Sequence, residues 1–206
     1  MSKHKTIQQL AEDFIIWGRG SWGQSSYDTS PFTINEEAQL IAYIIYLLKS
    51  GKAFKNKRPI FLWGPPGIGK SDIIKQLGGE LDAHVIDVRL SLWDPTDIKG
   101  VPFYDEASGT MKWAPPAELP GMKTAEQYDR IILFLDEMNS ASPSVQAAAY
   151  QLVLNRKVGT YVLPENVVIV AAGNRDGDKG VTYRMPAPLK NRFIHLEMES
   201  KFDDWF

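Results

Sequence analysis

Eight consecutive residues, Gly64-Pro65-Pro66-Gly67-Ile68-Gly69-Lys70-Ser71, match the pattern G-x-x-x-x-G-K-[ST]. Each residue type in that pattern has a physical task at a phosphate. Glycines let backbone N–H groups converge on phosphate oxygens without side chains in the way. A helix starting where the loop ends adds the positive end of its dipole. Lys70 can neutralise charge on the β and γ phosphates, and the Ser71 hydroxyl can ligand Mg²⁺. Asp72, next in line, completes the stretch expected to line the bound nucleotide.

Hydrolysis at such a cradle needs carboxylates, and a pair follows the apolar run Ile131-Ile-Leu-Phe-Leu135. Asp136 and Glu137 would emerge at the C-terminal end of a buried strand, where open α/β sheets bind ligands. Asp136 then holds the Mg²⁺ water shell, and Glu137 polarises the attacking water as general base. Two further residues fit the chemistry. Asn174, after the run Val167 to Ala172 and Gly173, can hydrogen-bond the attacking water or the γ-phosphate, or simply make a turn. Arg192, just before the last apolar run, is either a surface residue or a cation aimed at a neighbour's γ-phosphate.

These groups need a scaffold, and the apolar pattern supplies one. Short apolar runs at Pro59–Trp63, His84–Val88, Ile131–Leu135, Val167–Ala172 and Phe193–Met198 read as buried strands. Helical patterns separate several of them. Between Ser142 and Arg156, Val145, Ala148, Ala149, Leu152 and Val153 form one apolar stripe, with Ser142 as cap and Pro143 in the first turn. Strands alternating with helices imply an α/β fold, its mostly parallel sheet covered on both faces. Upstream, Thr6 to Ile15 has the spacing of a short amphipathic helix, and Gly18 to Pro31 reads as a loop. That loop carries Trp17, Trp22 and Tyr27 in or beside it, able to cover a groove or to pin it to the core. A second helix is predicted from about Asn35 to Lys49.

Composition narrows the function classes. The chain has 206 residues, 44% hydrophobic and 23% charged, with a formal net charge of -2, and the sequence pI is about 5.9. That balance argues against a nucleic-acid partner, though a local basic patch would not show in it. There is no cysteine, which removes disulfides and thiolate chemistry. His4, His84 and His195 lie far apart without ligand spacing, so Mg²⁺ is the one metal indicated. Glu12 and Asp13 stand where a secretory signal needs an apolar stretch. The longest apolar run, Leu40 to Leu48, is far short of the roughly 20 residues of a membrane span. The expectation is a soluble, cytoplasmic protein with no membrane association.

From about Asn35 to Met198 the sequence resembles the AAA+ ATPases, and within them the MoxR-like branch. Besides the loop at 64–71, the resemblance rests on an ordered set of motifs. These are Asp136-Glu-Met-Asn139, the alanine-rich helix after it, Asn155-Arg-Lys-Val158 leading to Leu163-Pro164, Ala172-Gly-Asn174, the Tyr183 to Ala187 segment and Arg192-Phe193. It implies a three-layer P-loop NTPase fold with a five-stranded sheet, ATP and Mg²⁺ as ligands, and a ring of like subunits, hexameric in expectation. It implies that Asn174 is the γ-phosphate sensor and that Arg192 is an arginine finger acting in trans, with Arg184 a second candidate at that interface. Val101 to Pro116, after Asp97-Ile-Lys-Gly100, looks like the family's inserted β-hairpin, turning at Ser108-Gly109. In the family such hairpins sit near the central pore, so Phe103, Tyr104, Met111 and Trp113 either touch a substrate or pack the hairpin down. The family carries a helical lid after the arginine segment; here residues 201–206 correspond to its start or to a tail, and residues 1–34 to an appendage before a core at 35–200.

The leading expectation is an ATPase whose hydrolysis remodels a protein partner. A nucleotide-gated assembly module that hydrolyses little on its own, and a nucleic-acid-translocating motor, are the alternatives.

Overall fold

The computed structural model describes residues 32–33, 59–175, 177–178 and 182–198. The two helices predicted within 6–49, the aromatic loop between them and the tail at 201–206 lie outside these residues.

One parallel sheet organises the described chain. Its strands are β1 (Phe32–Thr33), β2 (Ile60–Trp63), β3 (His84–Arg89), β6 (Ile131–Asp136), β9 (Val167–Gly173) and β10 (Ile194–Glu197), in the spatial order β1-β10-β2-β9-β6-β3. Every neighbouring pair is parallel. The five predicted strands are all present. The sixth, β1, adds two residues on the β10 edge from the stretch read as an appendage, too short to leave a periodic signal.

Side-chain alternation sorts the sheet into two cores. On β6, Ile131, Leu133 and Leu135 face one cluster while Ile132 and Phe134 face the other. The first cluster is closed by α4 (Pro143–Asn155), which buries Val145, Ala148, Ala149, Leu152 and Val153. The second is closed by α1 (Lys70–Glu80) through Ile74 and Leu77. β6 and β9 are buried along their whole length, as strands covered on both faces must be, which explains their unbroken apolar sequences.

Local chemistry sets the element boundaries. The Ser142 hydroxyl accepts the Val145 N–H and Pro143 occupies the first turn of α4, as the cap signal predicts. Arg156 ends that helix in a left-handed conformation and donates to the carbonyls of Pro164 and Val167 at 2.7 and 2.8 Å. This ties the short ribbon of β7 (Lys157–Val158) and β8 (Tyr161–Val162) to the start of β9. α2 (Pro95–Lys99) begins with a capping box between Asp94 and Asp97. It leads into the antiparallel hairpin of β4 (Val101–Asp105) and β5 (Thr110–Ala114). The hairpin turns at 106–109, where Gly109 supplies the positive φ. Val101, Phe103, Tyr104 and Met111 are exposed on it, so these residues do not pack the hairpin down; Trp113 is half-buried and lies against Gly159. α3 (Met122–Gln127) and α5 (Ala187–Lys190) complete the elements.

Candidate functional site

The parallel sheet brings the C-terminal ends of β2, β9, β6 and β3 to one edge, and the residues with chemistry sit there. The chain leaves β2 at Trp63 and runs through Gly64–Gly69 into α1. Gly67 and Gly69 hold φ of 78° and 93°, a left-handed geometry that a side chain would strain. The Gly64 N–H donates to the Gly173 carbonyl at 3.3 Å, fixing the loop to the tip of β9.

Lys70, the first residue of α1, is buried, and its Nζ donates to the carbonyls of Gly64 and Pro65 at 2.7 and 3.0 Å and to Asn174 Oδ1 at 3.1 Å. Burial lowers its pKa below the ordinary lysine value, while the nearby Asp136 carboxylate pulls the other way. An ammonium held by three neutral oxygens is poised to exchange them for phosphate oxygens. The next residue, Ser71, donates its hydroxyl hydrogen bond to Asp136 Oδ2 at 2.8 Å. A hydroxyl and one carboxylate side by side fit Mg²⁺, which completes its octahedron with waters and substrate phosphates. Among the described residues no group of three or more acidic or histidine side chains could hold a metal unaided.

Strand β6 ends at Asp136, and Glu137 turns the chain with φ 54°, a conformation uncommon outside glycine. The turn is held by the Glu137 N–H donating to Asp136 Oδ1 at 2.8 Å and by the Ser140 and Ala141 N–H groups donating to the Glu137 carbonyl. The Glu137 carboxylate thereby points toward β3. The Ser91 hydroxyl, just beyond that strand, donates to Oε2, and Arg89 Nε lies 3.6 Å from Oε1.

A second pair of partners fixes Asn174. Asn139, buried at 1% exposure two residues beyond Glu137, donates from Nδ2 to the Asn174 carbonyl and accepts the Asn174 N–H on Oδ1. A methyl group at Gly173 would come within 2.3 Å of that Oδ1, so glycine is required at the last position of β9, before Asn174. The Tyr183 N–H donates to the Asn139 carbonyl at 2.7 Å, which links the segment leading to α5 to the same point.

Lys70, Ser71, Asp72, Asp136, Glu137 and Asn174 thus line one open cleft of about 250 Å³, floored by Pro66, Gly67, Gly69 and Gly173 and walled by Arg89. Gly64 and Pro65 contribute their carbonyls to Lys70, and Ile68 completes the loop without lining the cleft. Arg192 does not line it. It is exposed in the turn between α5 and β10, and Arg184 is exposed in the segment before α5. Among the described residues no hydrogen-bond or ion-pair partner is found for the Arg192 side chain.

Sequence reasoning assigned no role to Arg89, Ser91 or Asn139. Arg89 was legible only as the residue after the second apolar run, and nothing in its neighbourhood marked it. Asn139 stood in a quoted motif, but its partner is 35 residues away and only the adjacency of β6 and β9 joins them.

Comparison with known proteins agrees with this geometry. Residues 59–195 match the ATPase family associated with various cellular activities (AAA). An AAA-ATPase of Arabidopsis thaliana is 32% identical over 94 residues, 40% of this chain and 19% of that protein. Midasin of Giardia intestinalis is 26% identical over 171 residues, 75% of this chain and 3% of that protein. The crystal structure of an inferred ATPase from Cytophaga hutchinsonii superposes with a TM-score of 0.54 at 19% identity, over 79% of this chain and 47% of that one. The chain therefore spans a small part of the curated relatives it matches and about half of this structural neighbour.

Proposed function

The chain belongs to the AAA family of ATPases, and on that premise we propose that it binds Mg·ATP and hydrolyses it in a ring of like subunits, as a MoxR-like member that remodels a protein partner. The observation that carries this reading is the convergence of Lys70, Ser71, Asp136, Glu137 and Asn174 on one cleft, while Arg192 stands exposed away from it. An exposed cation that does not line its own cleft is suited to serve a neighbour's.

In this reading the loop N–H groups and Lys70 take the phosphate charge. Ser71 and Asp136 would hold Mg²⁺, which would supply charge neutralisation at the phosphates. Glu137 accepts the proton of the attacking water, and Asn174 orients that water or the γ-phosphate. Arg192 of the adjacent subunit stabilises the charge that develops as the γ-phosphoryl group departs. The exposed apolar residues of the β4–β5 hairpin support a surface that meets a protein partner. The absence of cysteine fits work in the cytoplasm. Among the described residues no helix is long and apolar enough to cross a membrane.

One observation favours a second reading, a nucleotide-gated module that hydrolyses little alone: Glu137 is engaged by Ser91 and Arg89. The test is Mg²⁺-dependent turnover per subunit across a wide range of protein concentration, with Glu137→Gln as control. A specific rate that climbs with concentration supports the ring ATPase with a finger in trans. A rate no higher than the control at every concentration, with ATP bound, supports the gated module.

A further inference from the structure

The aromatic residues around β2 and β10 hold a polar chain that the reaction above does not use. Phe61, Trp63, Phe193 and His195 form one aromatic group, with Trp63 and His195 stacked at 5.9 Å between ring centroids. Within it the Trp63 indole Nε1 donates to His195 Nδ1 at 2.8 Å. An indole N–H can only donate, so the imidazole must accept at Nδ1 and carry its proton on Nε2. Nε2 lies 2.7 Å from the carbonyl of Lys190 and donates to it. Both ring nitrogens are therefore satisfied in the neutral form.

The two ends of this chain are what make it informative. Trp63 is the last residue of β2, directly before Gly64 of the phosphate loop. Lys190 is the last residue of α5, and its carbonyl also accepts the Phe193 N–H at 3.3 Å, while the Arg192 N–H donates to the Leu189 carbonyl at 3.0 Å. The turn that presents Arg192 is thus closed on the carbonyl that His195 holds. A helix of four residues has little stability of its own, and its terminal carbonyls need outside partners.

We infer that His195 is a positioning residue: by bridging the Trp63 indole and the Lys190 carbonyl, it fixes the turn carrying Arg192 to the strand that ends in the same subunit's phosphate loop. The orientation of the arginine offered to a neighbour is thereby referred to the subunit's own nucleotide site. This rests on the reading that Arg192 acts in trans.

The test uses two full-length chains mixed in equal amounts. One carries Glu137→Gln and can donate only its arginine; the other carries Arg192→Ala and can donate only its site. If the arginine acts in trans, the mixture turns over ATP although neither chain does alone, and a mixture as inactive as its parts would overturn that reading and this inference with it. With activity recovered, His195→Phe is placed in one chain or the other. The expected result is a loss of at least about tenfold when the arginine donor carries it, because a displacement of about an ångström costs that much or more, and a much smaller change when the site donor carries it. His195→Gln, whose amide can accept from Trp63 and donate to Lys190, should restore most of the activity. Should His195→Phe fail to bind ATP, Trp63→Phe removes the donor while keeping the ring stack and is read the same way. An equal loss from either chain would show that His195 serves general packing and would overturn the inference.

Discussion

Asn139 and Asn174 hold each other through two reciprocal hydrogen bonds, Nδ2 to the Asn174 carbonyl at 2.7 Å and the Asn174 N–H to Oδ1 at 3.0 Å. Asn139 follows Glu137 by two residues, so the pair fixes the strand tip that offers Glu137 against the one that offers Asn174. In Asn139→Asp the carboxylate still accepts the N–H but faces the carbonyl without a donor. Turnover should fall by about 10- to 100-fold with ATP affinity little changed, the cost of shifting an aligned group by about an ångström. Parallel kcat and Kd measurements check this; a purely structural pair would lower both together.

The contacts on Glu137 make an opposite prediction. Ser91 and Arg89 engage the two oxygens of the carboxylate, and these contacts must be given up before it can meet an attacking water. Ser91→Ala should raise basal turnover by about fivefold, the worth of roughly 1 kcal/mol for one net hydrogen bond. A fall in steady-state phosphate release would mean that Ser91 aims the base toward its water rather than restraining it.

Lys70→Ala removes the ammonium group that lines the cleft and leaves the carbonyls of Gly64 and Pro65 without their donor. Mg·ATP affinity should drop by at least about 100-fold, since charge-assisted hydrogen bonds are worth roughly 1.5–3 kcal/mol each. Titration calorimetry checks it, and an unchanged Kd would move the phosphate site elsewhere.

The neutral His195 should leave a mark on acid stability. Burial lowers its pKa below the ordinary histidine value, the Lys190 carbonyl opposes this by accepting from the ring, and the Lys190 charge adds to the lowering. The unfolded chain then takes up the proton first, at about pH 6.5, while the native ring resists it. Stability is full above that pH, declines as the pH falls below it, and levels off once the native ring is protonated too. Tm should therefore fall more steeply with acid for the wild type than for His195→Gln; parallel curves would contradict the assignment.

Much of this was legible in the sequence for a physical reason. Strands buried on both faces leave unbroken apolar runs, and β6 and β9 are such strands, so their positions, the acidic pair at the end of one and Asn174 after the other could be read directly. The phosphate loop was legible because the backbone geometry at Gly67 and Gly69 tolerates few other residues. What could not be read depends on pairing across the sheet. Arg89 and Ser91 reach Glu137 only because β3 lies beside β6, with Arg89 in register with Asp136. β1 is two residues long, too short for any period, and the Trp63–His195 bond spans 132 residues with no local signature.

The β4–β5 hairpin carries a further consequence. Val101 and Phe103 face one side of the ribbon, Tyr104 and Met111 the other, all exposed, and only ten residues pair across it. A two-stranded ribbon without a buried face is marginally stable in water. Its base is held where Gly100 sits so close to the Ala114 carbonyl that no side chain would fit. Amide hydrogens along the ribbon should then exchange with solvent by local opening, long before those of β6 and β9, which open only when the whole domain does. The described chain thus contains two tiers of stability, and the looser one carries four of its eight exposed large apolar side chains.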